Sequence, residues 1–471
     1  MTPEEFRTQA HALVDWIADY RKNTADFPVM SRVAPGDVAR ALPTSAPQQG
    51  EQFDAIMRDV DRIVVPGLSH WQHPRFFGYF PSNGSLASVL GDFLSTGLGV
   101  LGISWQSCPA LTEVEEVVCD WLRQMLGLSS AWSGVIQDAA STTTLVALLS
   151  ARERASNFAA SRGGLHGEPR ALVVYVSDYA HSSVEKAALL ADFGRDNLRR
   201  IPCDAAFAMI PEALSGAMAA DVQAGRVPCA VVATCGTTTT TAMDPVARIV
   251  DVARAHSAWV HLDAAMAGSA MILPECRALW DGVEGVDSLG INPHKWMGAA
   301  FDCSTYFVRD SEHLVRVMST NPSYLQNTAD GGVKNLRDWG IPLGRRFRAL
   351  KLWFLIREQG VTGLQARLRR DIENARWFES QLRAAPGWRV LAPVPLQTVC
   401  VRHEPAGVEG EALDRHTLAW ADRLNRSGAA YVTPAMLDGR WIVRVSIGAE
   451  TTEREHVAAL WERMQAEASA A

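Results

Sequence analysis

The segments "AWVHLDAA" (258–265) and "GVDSLGI" (285–291) decide the fold class of this 471-residue chain. Both are short apolar runs, and two similar runs precede them, "ALVVYVS" (171–177) and "CAVVATCG" (229–236). Helix-like stretches such as "PVARIVDVARAHS" separate the runs. Continuous apolar strands that alternate with helices are typical of sheets covered on both faces. The pattern therefore predicts an α/β fold with a largely parallel sheet.

The segments before and after this α/β region predict two further domains. At the amino terminus, Thr2 is an expected N-cap and Glu5 closes a capping box, so an amphipathic helix should begin there. A proline- and glycine-rich linker at 33–53 follows, and we expect it to be extended. The carboxyl-terminal part has short strands with covering helices. We therefore predict three domains, which are a helical arm (1–84) that packs on a partner subunit, a large domain (85–359) and a small α+β domain (360–471).

Composition narrows the classes of function. The chain is 48% hydrophobic and 21% charged with a net charge of −7, which predicts neither nucleic-acid nor membrane partners. The basic cluster in "GRRFRALKLW" (344–353) favours a helix face or a subunit contact over a phosphate or nucleic-acid patch. The eight cysteines form no C-x-x-C pair and are expected to be reduced. The start "MTPEEF" does not resemble a signal peptide, so a cytoplasmic protein is expected.

Several sequence signatures are absent or misplaced. "GLGVLG" (97–102) fits a dinucleotide-binding pattern, but it follows a helix-like segment instead of a strand. No P-loop, hydrolase-elbow or zincin motif is present. His256 and His261 are better explained as a helix end and a strand residue than as metal ligands. We therefore predict no metal site.

Three features together indicate a cofactor. The helix that begins near Ala140 and Ser141 offers free backbone N–H groups to an anion, although a plain N-cap would have the same sequence. Asp263 ends a predicted strand, where a buried carboxylate needs a facing cation. Lys295, in "INPHKWMG" (291–298), lies between two apolar segments, where an amine is either merely structural or kept nucleophilic. Pyridoxal 5'-phosphate needs such a phosphate seat, ring-nitrogen acid and Schiff-base lysine.

Five motifs occur in an order that resembles the group II pyridoxal-phosphate decarboxylases, specifically the aromatic-L-amino-acid decarboxylases. The likeness covers nearly the whole chain and looks closest to the bacterial enzymes that act on DOPA. It implies a fold-type I enzyme with a seven-stranded, mostly parallel sheet, and a homodimer with active sites at the subunit interface. The motifs are "YAHSSVEKA" (179–187), "ATCGTTTTTAMD" (233–244), "HLDAAMAGSA" (261–270), "NPHKW" (292–296) and "DWGIPLGRRFRALKLW" (338–353).

The resemblance also implies roles for individual residues. Lys295 would form the Schiff base, Asp263 would pair with the pyridine nitrogen, and His181 would stack on the ring. The other cofactor-binding residues would be Ala140, Ser141, Asn292 and His294 at the phosphate, with Thr238 and Ala265 along the cofactor. The substrate pocket would contain Trp71, Tyr79, Phe80, Pro81 and Ser82, with Leu101 and Ile103 from the other subunit. The animal enzymes have phenylalanine at the position of Ile103, and related histidine decarboxylases can carry serine at that of Gly344.

Tyr324, in "STNPSYLQNTADGG", corresponds to a family tyrosine on a loop that closes over the site. Family members with phenylalanine there tend to form aldehydes, whereas those with tyrosine release amine. Either Tyr324 or His181 would protonate Cα. The predicted reaction is decarboxylation of an aromatic L-amino acid, with DOPA first and tyrosine, phenylalanine, tryptophan and 5-hydroxytryptophan open. The alternatives are an aldehyde synthase, a histidine or glutamate decarboxylase, a cofactor-binding protein without turnover, and a nicotinamide oxidoreductase.

Overall fold

The structure is a computed structural model, and it describes residues 1–320 and 332–470. The chain divides into two compact units, each described separately below. The larger unit comprises Ser82–Ile372 and Ala392–Thr398. The smaller unit comprises Met1–Pro81, Glu373–Leu391 and Val399–Ala471.

A seven-stranded sheet forms the centre of the larger unit. Its spatial order is β1-β7-β6-β5-β4-β2-β3, and only β7 runs antiparallel to its neighbours. This confirms the predicted α/β class and the mostly parallel sheet. The strands are β1 (Ser133–Gln137), β2 (Leu172–Ser177), β3 (Leu198–Ile201), β4 (Val227–Thr234), β5 (Trp259–Asp263), β6 (Ser288–Ile291) and β7 (Ser304–Val308).

Helices accompany these strands, and every residue of β2, β5, β6 and β7 is buried. Burial on both faces explains why these strands are continuous apolar runs in the sequence. The long helix α11 is interrupted at Gly360, whose φ of 63° leaves the helical region. The helices are α4 (Leu86–Leu98), α5 (Pro109–Leu126), α6 (Ala140–Ala155), α7 (Ser182–Leu190), α8 (Pro211–Gln223), α9 (Val246–Arg254), α10 (Ser311–Met318) and α11 (Ala349–Ala384).

The smaller unit combines the amino-terminal residues with a four-stranded sheet of order β10-β11-β9-β8. The strands are β8 (Trp388–Val390), β9 (Thr398–His403), β10 (Thr433–Leu437) and β11 (Arg440–Ser446). The helices are α1 (Pro3–Lys22), α2 (Asp37–Ala41), α3 (Phe53–Asp59), α12 (Gly410–Ser427) and α13 (Arg454–Ser469). Backbone bonds join the amino-terminal segment to the carboxyl-terminal elements, since Phe77 N–H donates to Tyr431 and Ser446 N–H donates to Phe77.

The arm agrees with its sequence in one place and departs from it in another. Thr2 and Glu5 form the expected capping box at the start of α1. The linker, expected to be extended throughout, contains the short helix α2. The Asp37 carboxylate accepts a hydrogen bond from Ala34 N–H at 2.7 Å and so nucleates a turn within the proline-rich segment. Packing of the arm on a partner subunit stays a prediction.

Three further observations concern the described residues alone. No two cysteines among them are joined by a disulfide bond. Their His, Cys, Asp and Glu side chains form no cluster of three with the geometry of a metal site. None of their helices combines the length and the apolarity needed to cross a membrane.

Candidate active site

The chemically important residues lie where the parallel strands end. Asp263 is the last residue of β5, and its register partners are Thr234 in β4 and Gly290 in β6. Lys295 lies four residues after β6, and His181 lies four residues after β2. Because the carboxyl ends of parallel strands share one edge of the sheet, the topology brings these three side chains to the same edge.

Lys295 lies in a tight turn, Pro293–Met297. Its φ of −95° and ψ of −114° are not helical, and its N–H donates to the Asn292 carbonyl at 2.9 Å. The neighbouring Trp296 and Met297 are fully buried, while Lys295 is half-buried. The turn thus anchors its apolar side chains in the core and leaves the lysine at the edge of the sheet.

His181 is the N-cap of α7, and the hydrogen bond of its ring determines which ring nitrogen carries the hydrogen. Its Nδ1 accepts a hydrogen bond from Ser183 N–H at 3.1 Å, so the neutral ring carries its hydrogen on Nε2. Burial lowers the pKa of His181, Asp263 opposes that shift, and Lys295 lowers the pKa further. Both charges act on the imidazole, in agreement with the position of all three residues at one edge of the sheet.

Asp263 has the surroundings of an acid that faces a cationic ligand. Only 6% of the residue is exposed, and Oδ1 accepts a hydrogen bond from Ala265 N–H at 3.0 Å. That bond orients the carboxylate. A buried carboxylate is costly unless a cation faces it, and a protonated ring nitrogen would be such a cation.

An anion seat lies at the start of α6. Its N-cap, Ala139, provides no side-chain cap, so the N–H groups of Ala140 and Ser141 in the first turn have no helical acceptor. A helix start of this kind binds phosphate through its N–H groups and its dipole.

Asn292 and His294, at the end of β6, are held by their own hydrogen bonds. Asn292 Oδ1 accepts from Ser304 Oγ at 2.6 Å, and His294 Nδ1 accepts from Cys303 N–H at 2.9 Å. Burial, followed by the charge of Lys295, lowers the pKa of His294 to about 4. His294 is therefore neutral at pH 7, with its hydrogen on Nε2.

Thr238 and Ala265 lie on the two loops that follow β4 and β5. The loop around Thr238 begins at Gly236, whose φ is +93° and where an added Cβ would lie 2.4 Å from Ala267 Cβ. Only glycine fits both the angle and the space, so the two loops approach closely. The hydroxyls of Thr237 and Thr240, 2.9 Å apart, hold the turn.

The predicted substrate residues of the smaller unit form an aromatic cluster. The rings of Trp71 and Tyr79 are stacked at 5.4 Å between centroids. Tyr79 has a φ of +51°, an unusual conformation for a tyrosine. Phe80 is buried beneath the guanidinium of Arg444, 4.9 Å from its centroid, and Pro81 is buried as well.

The remaining predicted substrate residues belong to the larger unit. Leu101 is 53% exposed, Ile103 is half-buried, and Ser82 precedes α4. A Cβ added to Gly344 would meet Leu101 Cδ1 at 3.1 Å, so Leu101 and Gly344 are neighbours within one chain. Tyr324 lies outside the described residues.

Three polar residues were not identified from the sequence. Only 3% of Arg444 is exposed, and the available signal was an arginine placed within the otherwise apolar run of β11. The hydroxyls of Ser177 and Thr234, at the ends of β2 and β4, are buried and have no hydrogen-bond partner within the described parts of the chain. Such atoms at a strand edge are typical of a ligand site.

These features fit pyridoxal 5'-phosphate. The seat at α6 with His294 and Asn292 suits its phosphate, Asp263 suits its ring nitrogen, and Lys295 supplies an amine to its aldehyde. An α/β sheet that carries this set at its carboxyl edge defines the class of fold-type I pyridoxal-phosphate enzymes.

Comparisons with known proteins identify the family. Residues 35–404 match the pyridoxal-dependent decarboxylase conserved domain, so the chain belongs to the pyridoxal-dependent decarboxylases. It is 40% identical to phenylacetaldehyde synthase of Arabidopsis thaliana, over 100% of this chain and 97% of that protein. It is 39% identical to tyrosine decarboxylase of Papaver somniferum, over 99% and 94%.

One solved structure matches the backbone of this chain over its whole length. The crystal structure of Oryza sativa TDC with PLP and tryptamine matches with a TM-score of 0.97 and 38% identity, covering 100% of this chain and 99% of that one. The predicted family, fold-type I class and pyridoxal-phosphate cofactor are confirmed, and the chain is an enzyme of the carboxy-lyase type.

Proposed function

We propose that this enzyme decarboxylates an aromatic L-amino acid to the amine and CO2, with L-DOPA as the first candidate. The observation that carries the proposal is the cluster of Lys295, Asp263 and His181 at the carboxyl edge of the sheet. Relatives named for tyrosine decarboxylation and for a complex with tryptamine support an aromatic substrate. Preference for L-DOPA rests on the resemblance of the sequence motifs alone.

The bound cofactor supplies an electron sink into which the bond from Cα to the carboxylate can release its electron pair. Asp263 holds the proton on the ring nitrogen, which stabilises the developing charge more than the ground state. Lys295 would hold the cofactor through its aldehyde, and His181 would set the plane of the ring. The seat formed by α6, Asn292 and His294 fixes the phosphate.

Proton delivery has two candidate donors. His181 is neutral and carries its hydrogen on Nε2, so it can donate to Cα or hold the ring. Tyr324, by resemblance to the family, is the other donor, and retention of tyrosine at this position favours amine release over aldehyde formation.

Substrate selection depends on two sets of residues. Trp71, Tyr79 and Phe80 provide flat apolar surfaces suited to an aromatic side chain, with Pro81 and Ser82 continuing the segment. Leu101 and Ile103 would reach the site of the partner subunit. Gly344 is packed against Leu101, since an added Cβ would lie 3.1 Å from Leu101 Cδ1, and a larger residue at 344 would displace that leucine.

A homodimer is proposed on an exposed apolar surface of the larger unit. Five large apolar residues of α4 and three from later segments of the larger unit are 43–66% exposed. So many exposed apolar side chains are unusual on a protein that stays monomeric. They are Leu86, Leu90, Phe93, Leu94, Leu98, Phe301, Ile341 and Leu343.

A turnover panel tests the proposed reaction. L-DOPA, tyrosine, phenylalanine, tryptophan and 5-hydroxytryptophan are each supplied to the holoenzyme, with histidine and glutamate for comparison, and amine and CO2 are measured. Lys295→Ala should abolish amine formation, and borohydride should fix the cofactor to Lys295 in the unmodified enzyme. Decarboxylation of histidine or glutamate in preference to all five would contradict the aromatic assignment.

Aldehyde formation is the second candidate, because phenylacetaldehyde synthase is among the relatives. The two reactions differ in their products. Ammonia and hydrogen peroxide formed in equal amounts with CO2 would establish the aldehyde reaction, whereas amine in equal amounts with CO2 would establish simple decarboxylation.

A further inference from the structure

Two residues of α11 contact the turn that carries Lys295. Arg367 Nη1 donates to the Trp296 carbonyl at 2.8 Å, and Arg367 Nη2 donates to the Met297 carbonyl. One turn of helix later, the Asp371 carboxylate accepts a hydrogen bond from the Trp296 indole at 2.9 Å. The pair at i and i+4 therefore lies on one helix face and holds the turn by its backbone and by a side chain.

The contacts are buried and specific in shape. Asp371 and Trp296 are fully buried and Arg367 is 8% exposed. The guanidinium fork donates to two successive carbonyls through two different nitrogens, and the single nitrogen of a lysine would not reproduce that planar geometry. It does so beside Gly298, whose φ is +101° and where an added Cβ would lie 2.9 Å from Arg367 Nη2.

The turn needs this outside support. Lys295 has non-helical angles and follows the short strand β6, so no helical ladder of hydrogen bonds fixes its direction. Trp296 is the next residue in the chain, so a shift of its backbone would also move Lys295, and the bonds to its carbonyl and its indole oppose that shift. A displacement of about 1 Å at a reacting group can cost 10²-fold in rate.

We propose that Asp371 and Arg367 are positioning residues that hold the amine of Lys295 toward the cofactor through Trp296. This inference rests on the proposed function, since it concerns the residue that reacts with the aldehyde. Neither side chain touches substrate or cofactor in this role. Arg370 also lies beside Asp371, at 3.3 Å, and together with Arg367 it opposes the burial that raises the pKa of Asp371 to about 6.

The test is a double-mutant cycle with Trp296→Phe and Asp371→Asn. Trp296→Phe removes the indole donor, and Asp371→Asn removes the charged acceptor while keeping the shape of the side chain. Each single variant should lower kcat about tenfold with less than a twofold change in KM. The double variant should be no worse than Trp296→Phe alone, because Asp371→Asn weakens and Trp296→Phe removes the same contact.

A second measurement separates positioning from general stability. Visible circular dichroism of the bound cofactor, taken per mole of cofactor, should fall at least twofold in both variants because the ring loses its fixed orientation. Asp221→Asn is the matched control. Asp221 is a buried carboxylate of α8 that accepts from Tyr175 and from two arginines near the β3 edge. This control should lose stability while kcat and the dichroism per cofactor stay unchanged.

The outcomes distinguish this inference from the proposed reaction. Unchanged dichroism and kcat in Trp296→Phe and Asp371→Asn, or full additivity in the double variant, would overturn the positioning role while leaving the decarboxylase assignment intact. The opposite result is also possible to distinguish. If the wild-type enzyme forms no amine, but the dichroism of the bound cofactor still falls in both variants, the assigned reaction is overturned and the positioning role is kept.

Discussion

At the scale of single residues, the protonation state of a side chain depends on how far the protein shields its charge from water. Asp263 ends a buried strand, and His181 caps a helix. Their effect on the cofactor follows from those positions. The pKa of a titrating group therefore depends on its burial as much as on its residue type.

Replacement of Asp263 by Asn should impair rate more than cofactor retention. The amide keeps a similar shape and can still accept from Ala265 N–H, but it cannot stabilise a proton on the ring nitrogen. We expect kcat to fall by about 10²–10³-fold, in the range observed when a preorganised electrostatic partner is removed. The ratio of cofactor to protein should stay near that of wild type. Loss of cofactor with kcat unchanged per loaded site would contradict this role.

His294 should contribute a pH dependence to stability. Its pKa is lowered to about 4, so the unfolded chain binds a proton more readily than the folded chain between pH 6.5 and 4. The stabilisation is thus fully present above about pH 6.5 and is lost as pH falls toward 4. The variant His294→Asn keeps an acceptor for Cys303 N–H but does not titrate. Its free energy of unfolding should fall less steeply with acid, by up to about 1.4 kcal/mol per pH unit.

Denaturant unfolding at several pH values measures that difference. Asp244 and Asp371, whose buried carboxyls have pKa values raised to about 6, act in the opposite direction, and their contribution is lost as pH rises through 6. They are present in both proteins and cancel in the comparison. Identical acid slopes for the two proteins would show that His294 titrates normally.

At the scale of elements, the sequence predicts strands better than turns. The strands were recognisable because burial on both faces demands continuous apolar residues. Helix α2 was missed because Pro35 and Gly36 indicate an interruption and the stabilising bond from Ala34 to Asp37 leaves no periodic signal. The same holds for the contacts of Arg367, which bring together residues some 70 positions apart.

The residues of the site divide in the same way. Lys295 and Asp263 were identified because cofactor chemistry needs those residue types after successive strands. Arg444 was not, since an arginine within a short apolar strand does not indicate which residue it contacts, and Phe80 lies far from it in sequence. Spatial neighbours of this kind become visible only once the fold is known.

Gly298 should tolerate no side chain. Its φ of +101° is strained for alanine, and a Cβ would collide with the guanidinium of Arg367. We expect Gly298→Ala to lower the free energy of unfolding by about 1–3 kcal/mol and to weaken cofactor binding, as measured by denaturation and by titration with pyridoxal 5'-phosphate. Gly163→Ala, in a loop with open space around its Cβ position, is the control and should change neither quantity. Equal effects of the two substitutions would refute the close approach.

At the scale of the whole molecule, the exposed residues of α4 require explanation. Its inner face is attached to the segment after Lys295, where Ala300 N–H donates to Ser88 Oγ at 2.7 Å, and to helix α11, where Lys351 pairs with Asp92 at 3.0 Å. Its outer face carries leucines in contact with solvent. A helix fixed on one side and apolar on the other suits a subunit interface more than a free surface.

Leu90→Glu should therefore separate the proposed dimer. Leu90 is 51% exposed, and burying an unpaired carboxylate in an apolar interface is costly, whereas on a free surface it would cost little. Sedimentation equilibrium should give a mass near 51.3 kDa for the variant and about twice that for the wild type. Val222→Glu on α8, at 48% exposure, is the control and should leave the mass unchanged. Because Leu101 and Ile103 are assigned to the partner's pocket, the separated subunits should also lose amine formation. A wild-type mass of 51.3 kDa with full activity would exclude both the dimer and the shared pocket.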